Sequence, residues 1–172
     1  MAGKKESVEV CVVGQIAIAE LAEWLAVDLE SRSGLVWIKR PARNVFPGSP
    51  AFASVGRSGY YHGGLKGKTY LAHRVVFAIT NGFMPDEVDH IDGNKRNNHP
   101  ENLRSVTRSE NQHNRVEGGV VFHRKRNRYQ ARIQVNLKKV SIGYYNTYDE
   151  ANEAYLMAKR NLHPTAPERC YK

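Results

Sequence analysis

Two hydrophobic periods alternate along this chain. Ile16, Ala19, Trp24, Leu25 and Val27 recur at helical spacing, so residues 15–30 predict an amphipathic helix. Residues 31–34 read as a turn and 35–38, Leu-Val-Trp-Ile, as a strand. Residues 40–67 are rich in Gly, Pro and Ser; Tyr60-Tyr61 and residues 68–71 suggest short hairpin strands. Residues 72–81 return to helical spacing, with Gly82 placed to close the helix and Pro85 beyond it. Glu87 to Ile91 alternate polar and apolar, as a half-buried strand does, until Asp92-Gly93 breaks the run with turn chemistry. Residues 94–100 contain no apolar side chain and predict a solvated loop. Leu103 and Val106 resume a short strand, and Thr107 with Glu110 forms a capping box opening a helix that holds Asn111 in its first turn.

Past Gly118 the period is two again. Residues 120–123, 129–135 and 139–145 predict three strands with turns at 125–127 and at Asn136-Leu137. Thr147 and Glu150 form a second capping box, opening a helix to about Asn161. Ala151, Ala154, Tyr155 and Ala158 make its apolar stripe, and small alanines let it lie close on a sheet. Strand alternation puts Gln130 and Arg132 on one face and turns Tyr129, Ala131 and Ile133 towards the helix. The fold class is therefore α+β. The expected parts are an N-terminal amphipathic segment (1–30), a mixed module (31–116), a three-stranded antiparallel sheet packed on one helix (117–165) and a tail (166–172).

Length and composition suit one or two small domains with modest cores: 172 residues, 41% of them apolar. The net charge of +9 is unevenly spread. Residues 1–30 hold two lysines against six acids, 31–116 hold 13 basic and 6 acidic residues, and 117–172 hold 11 and 5. Both later segments should be drawn to a polyanion, in a salt-sensitive way. Charge alone does not separate DNA from RNA or a membrane surface. Cys11 and Cys170 stand far apart without a Cys-x-x-Cys pair, which leaves a disulfide framework and a Cys-rich zinc knuckle unsupported. The apolar-rich run 8–27 is interrupted by Glu20 and Glu23 and lacks signal-peptide flanks, so no membrane partner is expected and the protein is placed in the cytoplasm.

The chemistry concentrates in residues 88–114, VDHIDGNKRNNHPENLRSVTRSENQHN. The order strand, loop, strand, helix brings a carboxylate (Asp89), an imidazole (His90) and a side-chain amide (Asn111) towards one place. Those groups can hold one hard cation and activate one water. The Asp-His pair, DGN, NN, ENLR and the capped helix with Asn resemble the His-Asn-His (HNH) nucleases, in the homing-endonuclease branch whose last His is replaced by Asn. The resemblance implies a ββα-metal module. It makes His90 the general base, Asp89 and Asn111 the protein ligands of one Mg²⁺ or Mn²⁺, and Asn102 the residue that ties the loop and so orients His90. His113 is an alternative to Asn111, since residues two apart on a helix do not share a face and only one of the two can be the ligand; Asn114, three residues on, is a second candidate on the face of Asn111. GLVWIKR, the Gly-rich span and AHRVVFAITNG are similar to the N-terminal part of the same enzymes, with His73 structural beneath the finger.

The segment 119–163 resembles the Apetala/ethylene-responsive-factor DNA-binding domain on GV, YQARI, IGYYNT and EANEAY. That resemblance implies a sheet laid in the major groove, with Arg124, Arg126, Arg128, Arg132, Lys138 and Tyr144 meeting DNA. The two resemblances together imply a site-directed DNA endonuclease of the phage or intron-encoded homing type, acting on double-stranded DNA in a bacterial or phage-infected cell. One site per chain cuts one strand, so a monomer nicks and a weak dimer would cut both. The alternatives are a non-catalytic DNA-binding regulator on the same fold and a phage structural or packaging partner.

Overall fold

The apolar pattern over residues 15–30 is divided among three elements rather than forming one helix. The computed structural model describes residues 12–13, 16–114, 119–135 and 138–171. Strands β1 (Val12–Val13) and β2 (Ile16–Ala17) pair antiparallel, α1 covers Ile18–Trp24, and β3 (Leu25–Val27) runs on directly from it. β3 pairs antiparallel with β4 (Leu35–Trp37), setting Leu25 opposite Trp37 and Val27 opposite Leu35. The helix stops early for a physical reason. Three residues of strand satisfy one side of a buried β4 backbone, which a longer helix would leave without partners.

β5 (Ser54–Val55), β6 (Tyr61–Leu65) and β7 (Lys68–Leu71) form a three-stranded antiparallel sheet where the sequence suggests only a hairpin. α2 (Ala72–Asn81) has the predicted limits, with Gly82 at φ 74° ending it. β8 (Glu87–His90) and β9 (Leu103–Val106) pair across the polar loop, and α3 (Arg108–His113) starts at the Thr107/Glu110 capping box. Next come β10 (Val120–His123), β11 (Arg128–Val135), β12 (Lys138–Tyr145) and α4 (Tyr148–Leu162), the last opened by the Thr147/Glu150 box. The fold is α+β, built from small antiparallel sheets. Among the described residues no helix is long and apolar enough to cross a membrane.

The chain divides into two compact units between Ser105 and Val106. In the first, Leu21, Leu25, Leu35, Val75 and Val76 lie fully buried in one core that also takes in Val88 and Leu103. α1 therefore belongs to the same core as the loop-bearing strands. In the second unit β10, β11 and β12 form an antiparallel sheet, and Ala131 and Ile133 pack with Ala151 and Tyr155 of α4. The buried stripe of α4 is Ala151, Tyr155 and Lys159, while the expected Ala154 and Ala158 are only half-buried. Four-residue steps keep those three on one line, and the lysine stem continues it with its ammonium 5.6 Å from the Tyr155 ring centre. Residues expected to form a loose tail are tied down as well: Ala166, Cys170 and Tyr171 make a small buried cluster.

One glycine matters to everything near it. Gly34 closes the β3–β4 turn at φ 80°, and a Cβ there would lie 3.1 Å from Val76 and 3.2 Å from Asn98. Left-handed backbone and close approach both require glycine. Gly34→Ala should destabilise the protein by about 1–3 kcal/mol, read as a lower denaturant midpoint at unchanged slope.

Candidate active site

β8 fixes which side each neighbour takes. Successive strand side chains point to opposite faces, and here Val88 and His90 are buried while Glu87 and Asp89 are half-exposed. His90 is 3% exposed, and its Nε2 lies 2.9 Å from Oδ1 of Asn98, itself 3% exposed. The Asn98 amide nitrogen donates to the backbone carbonyl of Ser33 at 2.8 Å. A carbonyl can only accept, so that bond sets the orientation of the amide and leaves its oxygen facing the imidazole. Nε2 must then carry the proton. The lone pair of neutral His90 is left on Nδ1, the form a general base requires.

Asn102 closes the loop rather than touching this ring. Its side-chain oxygen accepts from the Asp92 backbone at 3.0 Å, and its nitrogen donates to the Asp92 carboxylate at 2.9 Å and the Asn97 carbonyl at 2.8 Å. Its own carbonyl accepts from the backbone of Ile91 at 2.9 Å. The role expected of Asn102 is thus shared: Asn102 ties the loop, and Asn98, four residues earlier, meets His90. Partial burial pushes the Asp92 carboxyl up, but hydrogen bonds from Asn97, Asn102 and the Asn94 backbone outweigh it and leave the pKa below the usual carboxylate value.

Three further side chains gather here: His73, which the sequence reading makes structural, and Tyr60 and Lys95, to which it gives no role in the site. The rings of His73 and Tyr60 lie 5.0 and 5.9 Å from that of His90 and 4.8 Å from each other. Lys95 holds its ammonium 4.9 Å from the Tyr60 ring centre. Burial, with help from the neighbouring His90 and Arg74, pushes the His73 pKa down to about 3, so this ring stays neutral. Its Nδ1 has no hydrogen-bond partner among the described residues. Burial and the nearby carboxylates of Asp89 and Glu87 hold the Tyr60 hydroxyl protonated well beyond neutral pH.

Asp89 is engaged by Arg104, whose Nε and Nη2 each donate to Oδ2 at 3.0 Å. Among the described residues no three His, Cys, Asp or Glu side chains converge as a metal cluster. The donors assigned to the ion fit a different kind of site. One carboxylate and one amide oxygen are hard ligands that leave most positions to water and phosphate, as Mg²⁺ prefers.

Asn111 lies on α3, half-exposed, and its side-chain oxygen accepts from Asn114 at 3.3 Å. His113 is stacked face to face on His163, ring centres 3.6 Å apart, and Asn114 is buried. The Asn114 carbonyl accepts from Arg169 at 3.3 Å and from the Cys170 thiol at 3.2 Å. Residues 163–170 therefore hold the end of α3, a role no local pattern announces. Burial lowers the pKa of both stacked histidines, which suits neutral rings in contact.

On the sheet, Arg128 and Arg132 alternate with inward-facing Ala131 and Ile133, as expected. Tyr144 sits opposite Gln130, with the Arg126 guanidinium 4.4 Å from its ring centre and His123 edge-on at 5.5 Å. Arg124 and Arg126 belong to the turn joining β10 to β11. Lys138 takes the other face of the sheet. A bulge at Ala131/Arg132 shifts the register, so Lys138 stands opposite Val135 and Lys139 opposite Gln134. Opposed residues share a face, so Lys139 joins Arg132 and Lys138 does not.

Residues 70–113 match the family described as HNH endonuclease, a span running from β7 through α3 and including Asp89, His90, Asn102 and Asn111. The match ends before β10. No curated protein and no solved structure matches the chain significantly.

Because His73 titrates near 3 in the fold and near 6.5 when unfolded, the unfolded chain binds the extra proton between those values. Its contribution is complete above pH 6.5 and declines as pH falls, by up to about 1.4 kcal/mol per unit. Denaturant titrations at pH 7 and pH 5 should show this loss, and His73→Phe should flatten the difference.

Proposed function

We propose that this protein is a DNA endonuclease that hydrolyses phosphodiester bonds at an HNH site, with β8, β9 and α3 as a ββα-metal finger. The observation that carries the reading is the buried chain from Ser33 through Asn98 to His90, which fixes the tautomer a base requires. His90 takes a proton from the attacking water at Nδ1. The new O–P bond forms, the P–O3′ bond breaks, and the departing oxygen is protonated by solvent. As the ring becomes charged, its Nε2–H bond to Asn98 strengthens, since charge-assisted hydrogen bonds are about twice as strong as neutral ones. Asp89 and Asn111 would hold Mg²⁺ or Mn²⁺, which supplies neutralisation of the charge developing on the phosphoryl oxygens. The assignment of Asn111 rests on the sequence resemblance, and Arg104 keeps the Asp89 carboxylate in a fixed place.

The sheet of the second unit is the proposed seat for duplex DNA, through Arg124, Arg126, Arg128, Arg132, Lys139 and Tyr144. A monomer with one such site would nick, as suits a homing endonuclease. A non-catalytic DNA-binding protein on the same fold has one observation in its favour, the neutralisation of Asp89 by Arg104.

Cleavage separates the two readings. Supercoiled plasmid carrying a target should become open circles with Mg²⁺ or Mn²⁺ and stay intact in EDTA. His90→Ala should lower the rate by about 10²–10⁴-fold with DNA binding kept. Binding of wild-type protein with no cutting in either metal would leave the regulator. The sheet register has its own test: Lys139→Ala should weaken duplex binding and Lys138→Ala should not, as read by fluorescence anisotropy.

A further inference from the structure

Within the polar loop, side chains mostly bond to one another: Asn97 and Asn102 to Asp92, and Asn98 to His90. Lys95 leaves the loop instead. Its ammonium donates to the Ser58 carbonyl at 3.1 Å and lies over the Tyr60 ring. Its stem passes Gly59, where an added Cβ would come within 3.6 Å of Lys95 Cδ. Gly59 is left-handed at φ 85°, so the turn that receives the stem is itself built around glycine. Three contacts thus hold a side chain that otherwise carries about 2 kcal/mol of rotamer entropy.

We propose that Lys95, seated on Tyr60, is a DNA-binding residue that contacts a phosphate next to His90. The inference rests on the nuclease reading above and extends it to a named substrate contact. An ammonium has three donors, and the Ser58 carbonyl takes one. Among the described residues no carboxylate pairs with it. A tie between two exposed loops would gain little from such a cation, since an exposed contact of this kind contributes about 1 kcal/mol or less. Beside the base, a held cation has a use. The Tyr60 ring centre lies 4.9 Å from the Lys95 ammonium and 5.9 Å from the His90 ring centre, which puts the ammonium within reach of a phosphate at His90 or of its neighbour along the strand.

The test uses full-length protein and duplex DNA in EDTA, with affinity followed by anisotropy from low to moderate salt. Lys95→Met keeps the stem and removes the charge. It should bind about 3–10-fold more weakly, with a log–log salt slope shallower by about 0.9, the counterion release of one phosphate contact. Lys95→Arg should keep the wild-type slope. With metal added, Lys95→Met should raise KM with kcat largely kept. An unchanged slope in Lys95→Met, accompanied only by a lower melting temperature, would make Lys95 a loop tie and overturn the proposal. Because the slope is read without chemistry, a protein that binds but never cuts would defeat the nuclease reading and leave this result standing.

Discussion

A buried imidazole can accept a proton from water only if something decides which nitrogen already holds one. Here the decision is made by an amide that has no freedom of its own: Asn98 gives its nitrogen to the Ser33 carbonyl and so must offer its oxygen to His90. Much of the first unit serves that contact. The β3–β4 turn presents Ser33, and Gly34 leaves space for Asn98 to approach. Asn102 and Asp92 close the loop that carries Asn98. β8 alternates its side chains so that His90 faces inward while Asp89 stays near the surface. A half-satisfied polar network would cost more than an apolar core, and this one is completed by backbone.

What could be read in advance was whatever short-range chemistry dictates. α2 with its terminal glycine and both capping boxes rest on contacts three or four residues apart, and they occur where the pattern puts them. The Asp-His pair and the Asn residues of the finger were legible as a motif. Their division of labour was not. Asn97, Asn98 and Asn102 are chemically alike, and what separates them is a carbonyl 65 residues away from Asn98. The face taken by Lys138 has a similar origin. Ile142 is the extra residue of the bulge between the Gly143 and Ser141 pairings, and a one-residue shift turns every later side chain to the other face. In KKVSIGYY the isolated Gly143 hints at a bulge, but it does not say to which side the later residues turn. The helix predicted over residues 15–30 yielded to a strand pairing whose partner lies beyond a turn.

The two units use charge in different ways. In the first, Arg104 is committed to Asp89 and Lys39 to Glu23, and Lys95 gives one donor to a carbonyl. In the second, arginines stand exposed along a sheet whose other face is occupied by α4, and the Arg126–Tyr144–His123 group adds flat surfaces to that charge. Exposed arginines on a rigid sheet confer reach and salt sensitivity, while fixed partners confer geometry.

The hold of residues 163–170 on the end of α3 has a consequence in time. A ribosome makes the chain from its N-terminus, and the first unit has all its core residues long before His163, Arg169 and Cys170 are added. Until those residues emerge, the stack on His113 and the two bonds to the Asn114 carbonyl cannot form. The helix bearing Asn111 is therefore among the last parts to be secured during synthesis. A nascent chain still on the ribosome would carry a completed Ser33–Asn98–His90 network and an unsecured α3, and that helix is held only once β10, β11, β12 and α4 have been translated in full.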